Sequence, residues 1–285
     1  TDCKHYKGIV QLVHGMAEYI LRYEEFAKYL ARKGYIVCGN DHAGHGLSVE
    51  NKSDLGYFGK RENSWQYLID DMNYLEGMMR LEYDEIPYFM VGHSMGSFLT
   101  REYMALYGDK FDGAIFIGTG YVNPLLDFGI SLAKYKAHKN PKQRGELIDK
   151  IAFGAFNKKI DTANTKFDWI STDSKIVEKY VNDEKCGFLF TNEAYRDLFL
   201  LIKKVNSVKW AKSMPRNLPM LLISGSDDPV GDFGKGVRKV YEMLKKAGCI
   251  NVDIKLLHGV RHEILNDIKR EKVYAILYNW LEKNI

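Results

Sequence analysis

The chain has 285 residues and 46% hydrophobic content, enough for one large domain carrying an insertion or for two modest domains with a sizeable core. Lys+Arg 41 against Asp+Glu 37 leaves a formal net charge of +4, and because the two signs are interspersed no nucleic-acid surface is indicated and the expected partner is a small molecule. The four cysteines, Cys3, Cys38, Cys186 and Cys249, stand far apart without the C-x-x-C spacing of zinc ribbons and redox motifs.

The run "GIVQLVHG" (8 to 15) is continuous, β-rich and apolar, as a strand buried on both faces of a parallel sheet would be. A helix follows in "RYEEFAKYLARKG", where Tyr23, Phe26, Ala27 and Leu30 fall at i, i+3, i+4 and i+7 and Gly34 supplies the left-handed turn after it. "YIVCGN" is the next strand, and its Cys38 reads as a buried thiol in a reducing compartment. The cycle continues with a helix from about 63 to 80, the strand "YFMVGH" (88 to 93), a helix from 95 to about 107 and the strand "GAIFIGTG" (113 to 120).

Beyond Gly120 the alternation stops, and as far as about Met214 the chain is richer in Lys, Asn and Asp, with helical stretches and no convincing strand pair. It resumes with "PMLLISG" (219 to 225), a helix over "VRKVYEMLKKAG", the strand "NVDIKLLHG" (251 to 259) and a final helix striped by Val273, Ile276, Leu277, Trp280 and Leu281. The expected architecture is α/β, with a mainly parallel central sheet flanked by helices. Residues 1–120 and 214–285 form its core, and 121–213 form a helical cap inserted into it. No repeat, low-complexity tract or linker interrupts it. No leader opens the chain, and the longest uncharged stretch, 86 to 100, falls short of the ~20 apolar residues of a spanning helix, so a soluble, cytoplasmic protein is expected.

"VGHSMGS" (91 to 97) then places Ser94 at the end of a buried strand and the start of a helix. A chain of this length carries G-x-S-x-G by chance in roughly one case in ten, so the motif alone decides little. In a strand-turn-helix it has a mechanism: the sharp turn strains the middle residue, Gly92 and Gly96 relieve the crowding, and the helix N-terminus offers unpaired N–H groups. Ser94 is therefore read as a nucleophile rather than a helix cap. Its base and orienting acid must come from later strands, in the order Ser, Asp, His. "SDDPVG" after the strand 219 to 225 offers Asp227 or Asp228, which residue chemistry does not separate. "HGVRHEIL" after the last strand offers His258 at the strand end and His262 further out, where the loop reaches back to Ser94. The oxyanion hole is expected from the backbone N–H groups of Met95 and Met16, with His14 and Gly15 shaping the loop of the latter.

Taken together, "GHSMG" around Ser94, the "HG" at His14, "DHAGHGLS" (41 to 48), "GSDDPVG" (225 to 231) and "GVRHE" (259 to 263) resemble the monoacylglycerol lipase and lysophospholipase family of α/β-hydrolases. In the cap, "FDWISTD" (167 to 173) and "DEKCGFLFTNEAYRDL" (183 to 198) look like bacterial members of that family. The resemblance covers nearly the whole chain. It implies an α/β-hydrolase fold, Ser94, Asp228 and His262 as catalytic triad and Met16 and Met95 as oxyanion donors, and it is what selects Asp228 over Asp227. The sequence departs from the family at Ala43, where the family has an arginine, so an ion pair is expected to be missing. The resemblance also implies two strands ahead of the "HG" strand, and these N-terminal strands of the usual fold are expected to be missing, since only a few residues precede it here. "YIVCGN" would then form an apolar sheet edge, expected to be covered by another chain, as in a homo-oligomer, or by rearranged segments, or else to mark a truncation.

The expected chemistry is hydrolysis of a carboxylic ester of an acyl lipid, a monoacylglycerol or lysophospholipid, through an acyl-enzyme, with no metal and no organic cofactor. Phe153, Phe156, Phe167, Trp169, Phe188 and Phe190 are candidates for an apolar wall around the acyl chain. The basic run "KYKAHKNPKQR" (134 to 144) offers a weak membrane-surface contact through the cap, against its plainer role as a solvated face. The competing readings are a short-chain carboxylesterase, a thioesterase or an aminopeptidase on the same frame, with Glu18 or a cap carboxylate holding a substrate amine, and a ligand-binding protein without turnover.

Overall fold

Strand and helix alternate from the first described residues of this computed structural model, which covers residues 6–60, 63–161 and 163–285 and so leaves Cys3 outside. β1 (Gly8–Val13) leads through a loop to α1 (Glu24–Arg32) and β2 (Tyr35–Gly39), followed by α2 (Trp65–Glu82), β3 (Tyr88–His93), α3 (Met95–Tyr107) and β4 (Gly113–Ile117). Five helices come before the sheet resumes: α4 (Leu126–Lys139), α5 (Glu146–Phe153), α6 (Ser174–Asn182), α7 (Asn192–Val205) and α8 (Val208–Ser213). The chain then runs through β5 (Met220–Gly225), α9 (Lys235–Lys246), β6 (Val252–Leu257) and α10 (Arg270–Lys283). The expected strands end early where glycines turn left-handed. β4 stops at Ile117 before Gly118 at φ 59°, and β6 stops at Leu257, two residues short of Gly259 at φ 65°.

All six strands are parallel, in the order β2-β1-β3-β4-β5-β6. Period-two alternation divides their side chains between two cores. Ile9, Val13, Tyr88, Met90, Phe116 and Leu222 face α2, α3 and α7, while Val10, Leu12, Phe89, Ile115 and Ile223 face α1 and α10. The one polar residue inside β1, Gln11, is satisfied by donating to the Met72 carbonyl at 3.1 Å and accepting from the Tyr88 hydroxyl at 2.7 Å.

β1 sits between β2 and β3, so the loops leaving β1 and β3 diverge and open a crevice at their carboxyl ends. That is where open parallel sheets bind ligands. β2 is the edge strand, as the "YIVCGN" reading anticipated, but this makes Cys38 half-buried rather than buried. Its thiol is still pushed up to about 11 by burial. Among the described residues no helix is long and apolar enough to cross a membrane.

Candidate active site

Ser94 joins β3 to α3 with φ 55° and ψ −121°, a conformation that costs an L-residue about 1–3 kcal/mol and persists only where its surroundings enforce it. The enforcement is visible. Ser94 N donates to the Ile117 carbonyl at 2.9 Å, and the Ser94 carbonyl accepts from Ser97 N at 2.8 Å and Ser97 Oγ at 2.6 Å. The flanking glycines are demanded by backbone: a Cβ on Gly96 would stand 2.1 Å from the Val13 carbonyl oxygen, and one on Gly92 would stand 2.4 Å from that of Gly96.

His262 reaches the same crevice from the loop after β6. Its Nδ1 lies 2.9 Å from Asp228 Oδ2, and both side chains are buried. Ser224 Oγ donates to Asp228 Oδ2 at 3.0 Å and Val230 N donates to Oδ1 at 2.9 Å, so the carboxylate is fixed through both oxygens. With Nδ1 facing the carboxylate, Nε2 is the nitrogen left for proton transfer. Gly118 lets the ring pass, because a Cβ there would come within 2.9 Å of His262 Cε1. Trp169 packs against the ring at a 45° tilt with centroids 5.1 Å apart. The alternatives left open by the sequence fall elsewhere: Asp227 and His258 are both exposed.

Three buried histidines hold the loop after β1. His14 Nε2 accepts from His42 N at 2.9 Å, which leaves its Nδ1 to donate to the Gly15 carbonyl at 2.8 Å. His45 Nε2 accepts from Ala17 N at 3.2 Å. Burial lowers all three histidines, His45 to about 3, so they serve as neutral hydrogen-bonding parts. Gly15 approaches the serine so closely that a Cβ would stand 3.0 Å from Ser94 Cβ. The bonds around the neighbouring residues leave Met16 N and Met95 N without a partner among the described residues, and both residues line the same cavity as Ser94 and His262. In the loop that carries Ala43, Asp41 accepts from Ile20 N at 2.8 Å and Leu47 N at 2.7 Å.

A charged cluster, which the sequence did not reveal, lies beneath these groups. Glu18 Oε1 accepts from Gly15 N at 2.6 Å and the Tyr23 hydroxyl at 2.6 Å, and Oε2 accepts from Arg22 at 2.8 Å. Arg22 also forks onto Glu263 at 2.6 and 2.7 Å. His93 places Nδ1 3.1 Å from Glu18 Oε1 and Nε2 3.3 Å from the His262 carbonyl. Burial is the largest single influence and would raise the Glu18 carboxyl and lower His93, but their mutual bond and attraction, joined by Arg22 at Glu18 and by Glu263 and Asp228 at His93, together outweigh it, holding Glu18 well below the usual range and raising His93. Glu18 is thus already engaged and offers no free carboxylate to a substrate amine.

The cavity over Ser94 has a volume of about 710 Å³. Of the aromatic candidates, Phe153, Phe156, Phe167, Trp169 and Phe188 line it, together with Leu126, Leu132, Ile148, Leu198, Phe199 and Ile202, which periodicity did not single out. Phe190 does not. It is fully buried beneath the wall, against Phe58 and His45 at centroid separations of 5.1 and 5.3 Å, and its carbonyl accepts from Gly145 N. Among the described residues no group of His, Cys, Asp and Glu is arranged to hold a metal ion.

A family model described as serine aminopeptidase, S33, matches residues 4–269. A monoglyceride lipase homolog of Monkeypox virus is 26% identical over 98% of this chain and 93% of its own length. A monoacylglycerol lipase of Mycolicibacterium smegmatis is 25% identical over 98% of this chain and 89% of its own. Among solved structures, a highly thermostable carboxyl esterase from Bacillus coagulans, in complex with glycerol, superposes with a TM-score of 0.93 at 29% identity, covering 100% of this chain and 92% of that one. The architecture is accordingly the α/β-hydrolase fold expected from the sequence.

Proposed function

We propose, from the premise that this chain belongs to the serine aminopeptidase S33 family, that it is a carboxylic ester hydrolase acting on lipid-like esters, a monoacylglycerol or a lysophospholipid. One observation carries the reading: strained Ser94 and Asp228-bound His262 open onto one largely apolar cavity. Lipase and esterase relatives agree with it.

In this reading Ser94 Oγ attacks the ester carbonyl carbon while His262 Nε2 takes its proton, and Asp228 stabilises the imidazolium. The carbonyl oxygen, now anionic, accepts hydrogen bonds from Met16 N and Met95 N, and each such donor contributes about 10²–10³ in turnover. His262 then returns the proton to the leaving alcohol oxygen, and water attacks the acyl-enzyme by the same steps reversed. The wall formed by Phe153, Phe156, Trp169 and Phe188 would hold the acyl chain, with residues 121–213 acting as the cap. Cys38, Cys186 and Cys249 are free thiols, which supports a reducing, cytoplasmic setting. Two associations extend the reading: a homo-oligomer through the β2 edge, and a weak membrane contact through basic residues 134–144. Monomeric sedimentation would remove the first, and liposome pelleting indifferent to anionic lipid would remove the second.

The experiment is acyl-chain-resolved hydrolysis of monoacylglycerols, lysophospholipids, p-nitrophenyl esters, acyl thioesters and aminoacyl anilides, with a fluorophosphonate label, for the wild type and Ser94→Ala. The reading expects long-chain ester turnover and labelling, both abolished by the substitution. Preference for short esters, thioesters or anilides would move the assignment to those classes. A folded protein with neither turnover nor labelling would leave a ligand-binding role.

A further inference from the structure

Arg101 has no part in the chemistry above, yet it is a fully buried cation in the helix that follows Ser94. No carboxylate pairs with it among the described residues. Burial pulls its guanidinium down to about 9, still above neutral pH, so a charge is held in the interior. Its compensation comes from dipoles. Nη1 donates to Thr119 Oγ1 at 3.2 Å and the Gly120 carbonyl at 3.1 Å, and Nη2 donates to the Val205 carbonyl and to Asn206 Oδ1 at 2.9 Å. Val205 ends α7, whose C-terminal carbonyls carry the negative end of the helix dipole. The Trp210 ring lies 4.5 Å from the guanidinium carbon, and its Nε1 donates back to the Arg101 carbonyl at 2.9 Å.

These contacts are not scattered. Thr119 and Gly120 are where the chain leaves β4 for α4, and Val205 and Asn206 are where α7 ends, so they are the two roots of the α4–α7 segment, with α8 still to come before β5. The first segment begins at Ile117, whose carbonyl takes the Ser94 N–H, and Gly118, which packs on His262. The second ends the helix whose Leu198, Phe199 and Ile202 line the cavity, and Asn206 Nδ2 also donates to the Ile202 carbonyl at 2.9 Å.

We infer that Arg101 is a positioning residue for acyl-chain selection: from the nucleophile helix it clamps both roots of the α4–α7 segment and fixes the α7 wall of the cavity relative to Ser94. The inference rests on the hydrolase reading. A guanidinium is required because one planar group must reach both roots at once, which a lysine ammonium on a flexible stem does not do. Loosening the clamp displaces the wall that a long acyl chain touches, while a short ester, which does not extend along α7, is little affected.

The test compares wild type, Arg101→Lys and Arg101→Met at a temperature well below the unfolding midpoint of each, using p-nitrophenyl acetate and decanoate, with fluorophosphonate labelling. In Arg101→Met the decanoate kcat/KM is expected to fall about tenfold or more, mainly through KM, while acetate kcat/KM stays within about threefold and labelling persists. Arg101→Lys should recover the decanoate preference only in part. Amide hydrogen exchange of wild type and Arg101→Met should quicken together at 119–121 and 205–207, a readout that needs no turnover. Equal loss on both esters, or an unchanged chain-length preference with unchanged exchange, overturns the clamp. If the wild type itself neither labels nor turns over, the hydrolase reading fails, and the exchange result still decides whether Arg101 joins the two roots.

Discussion

His93 Nε2 lies 3.3 Å from the carbonyl oxygen of His262, so the residue before the candidate nucleophile holds the backbone of the candidate base. Its other nitrogen faces Glu18, which holds Gly15 N in the loop bearing Met16. One imidazole therefore ties together the turn at Ser94, the loop of His262 and the loop bearing Met16. His93→Ala is expected to lower kcat by about tenfold to a hundredfold with little change in the KM of a short ester, since misplacing a catalytic group costs the chemical step. Steady-state kinetics below the melting point of the variant would check this, and a full kcat in a folded variant would make the tie irrelevant to catalysis.

Asp227 and Asp228 are adjacent yet face different surroundings. Asp228 is buried against His262, whereas Asp227 is exposed and takes a hydrogen bond from Ser226 Oγ at 2.7 Å. Asp228→Asn should cost about 10⁴ in kcat, because an NH2 donor replaces one of the two accepting oxygens and the side chain no longer fixes the imidazole tautomer. Asp227→Asn should stay within about twofold, as exposed substitutions usually do. Parallel kinetics on the two variants settle the assignment, and the reverse ranking would hand the orienting role to Asp227.

The sheet was legible because its strands are buried on both faces and therefore read as unbroken apolar runs, and the helix from 95 to 107 was placed correctly because glycines and strand mark its start. The placement of Ser94 and His262 at the ends of sheet strands was legible as a candidate site, but choosing between Asp227 and Asp228 needed the family resemblance. The cluster of Glu18, Arg22, His93 and Glu263 was not legible, because its members lie up to 245 positions apart, and charged residues ordinarily signal surface. Arg101 was missed for the same reason. Phe190 was misplaced because aromatic spacing does not say which ring faces a cavity and which lies a layer below it.

Two glycine-to-alanine changes should separate geometry from composition. In Gly96→Ala the new methyl meets the carbonyl oxygens of Val13 and His14 at 2.1 and 2.5 Å, both backbone atoms that no rotamer change can move. Loss of fluorophosphonate labelling and a destabilisation of more than about 2 kcal/mol are expected, as for overpacking at a tight site. In Gly77→Ala, inside α2, nothing lies within 4 Å, and a stabilisation of about 0.5–1 kcal/mol is expected from helix propensity. Denaturant melts of the two variants give the comparison, and a labelled, wild-type-like Gly96→Ala would contradict the geometry of the turn.

The buried histidines predict how stability responds to acid. His14, His42 and His45 have folded-state pKa values below 6.5, so at lower pH the unfolded chain binds protons that the folded chain refuses. Their contribution is complete above about pH 6.5 and is lost as pH falls, by about 1.4 kcal/mol per pH unit for each histidine, until the folded group titrates. For His45 that loss runs down to about 3. His93 has the opposite sign: its folded pKa is raised, so its contribution is present below its unfolded pKa and lost as pH rises through the folded one. His45→Gln keeps an acceptor for Ala17 N but removes one titrating group. Between about pH 4 and 6, urea-derived stabilities of this variant should fall less steeply than those of the wild type, by close to one proton in the slope. Parallel profiles would mean that His45 accepts a proton in the folded state as readily as in the unfolded chain, contrary to its buried, neutral role in holding the loop that carries Met16.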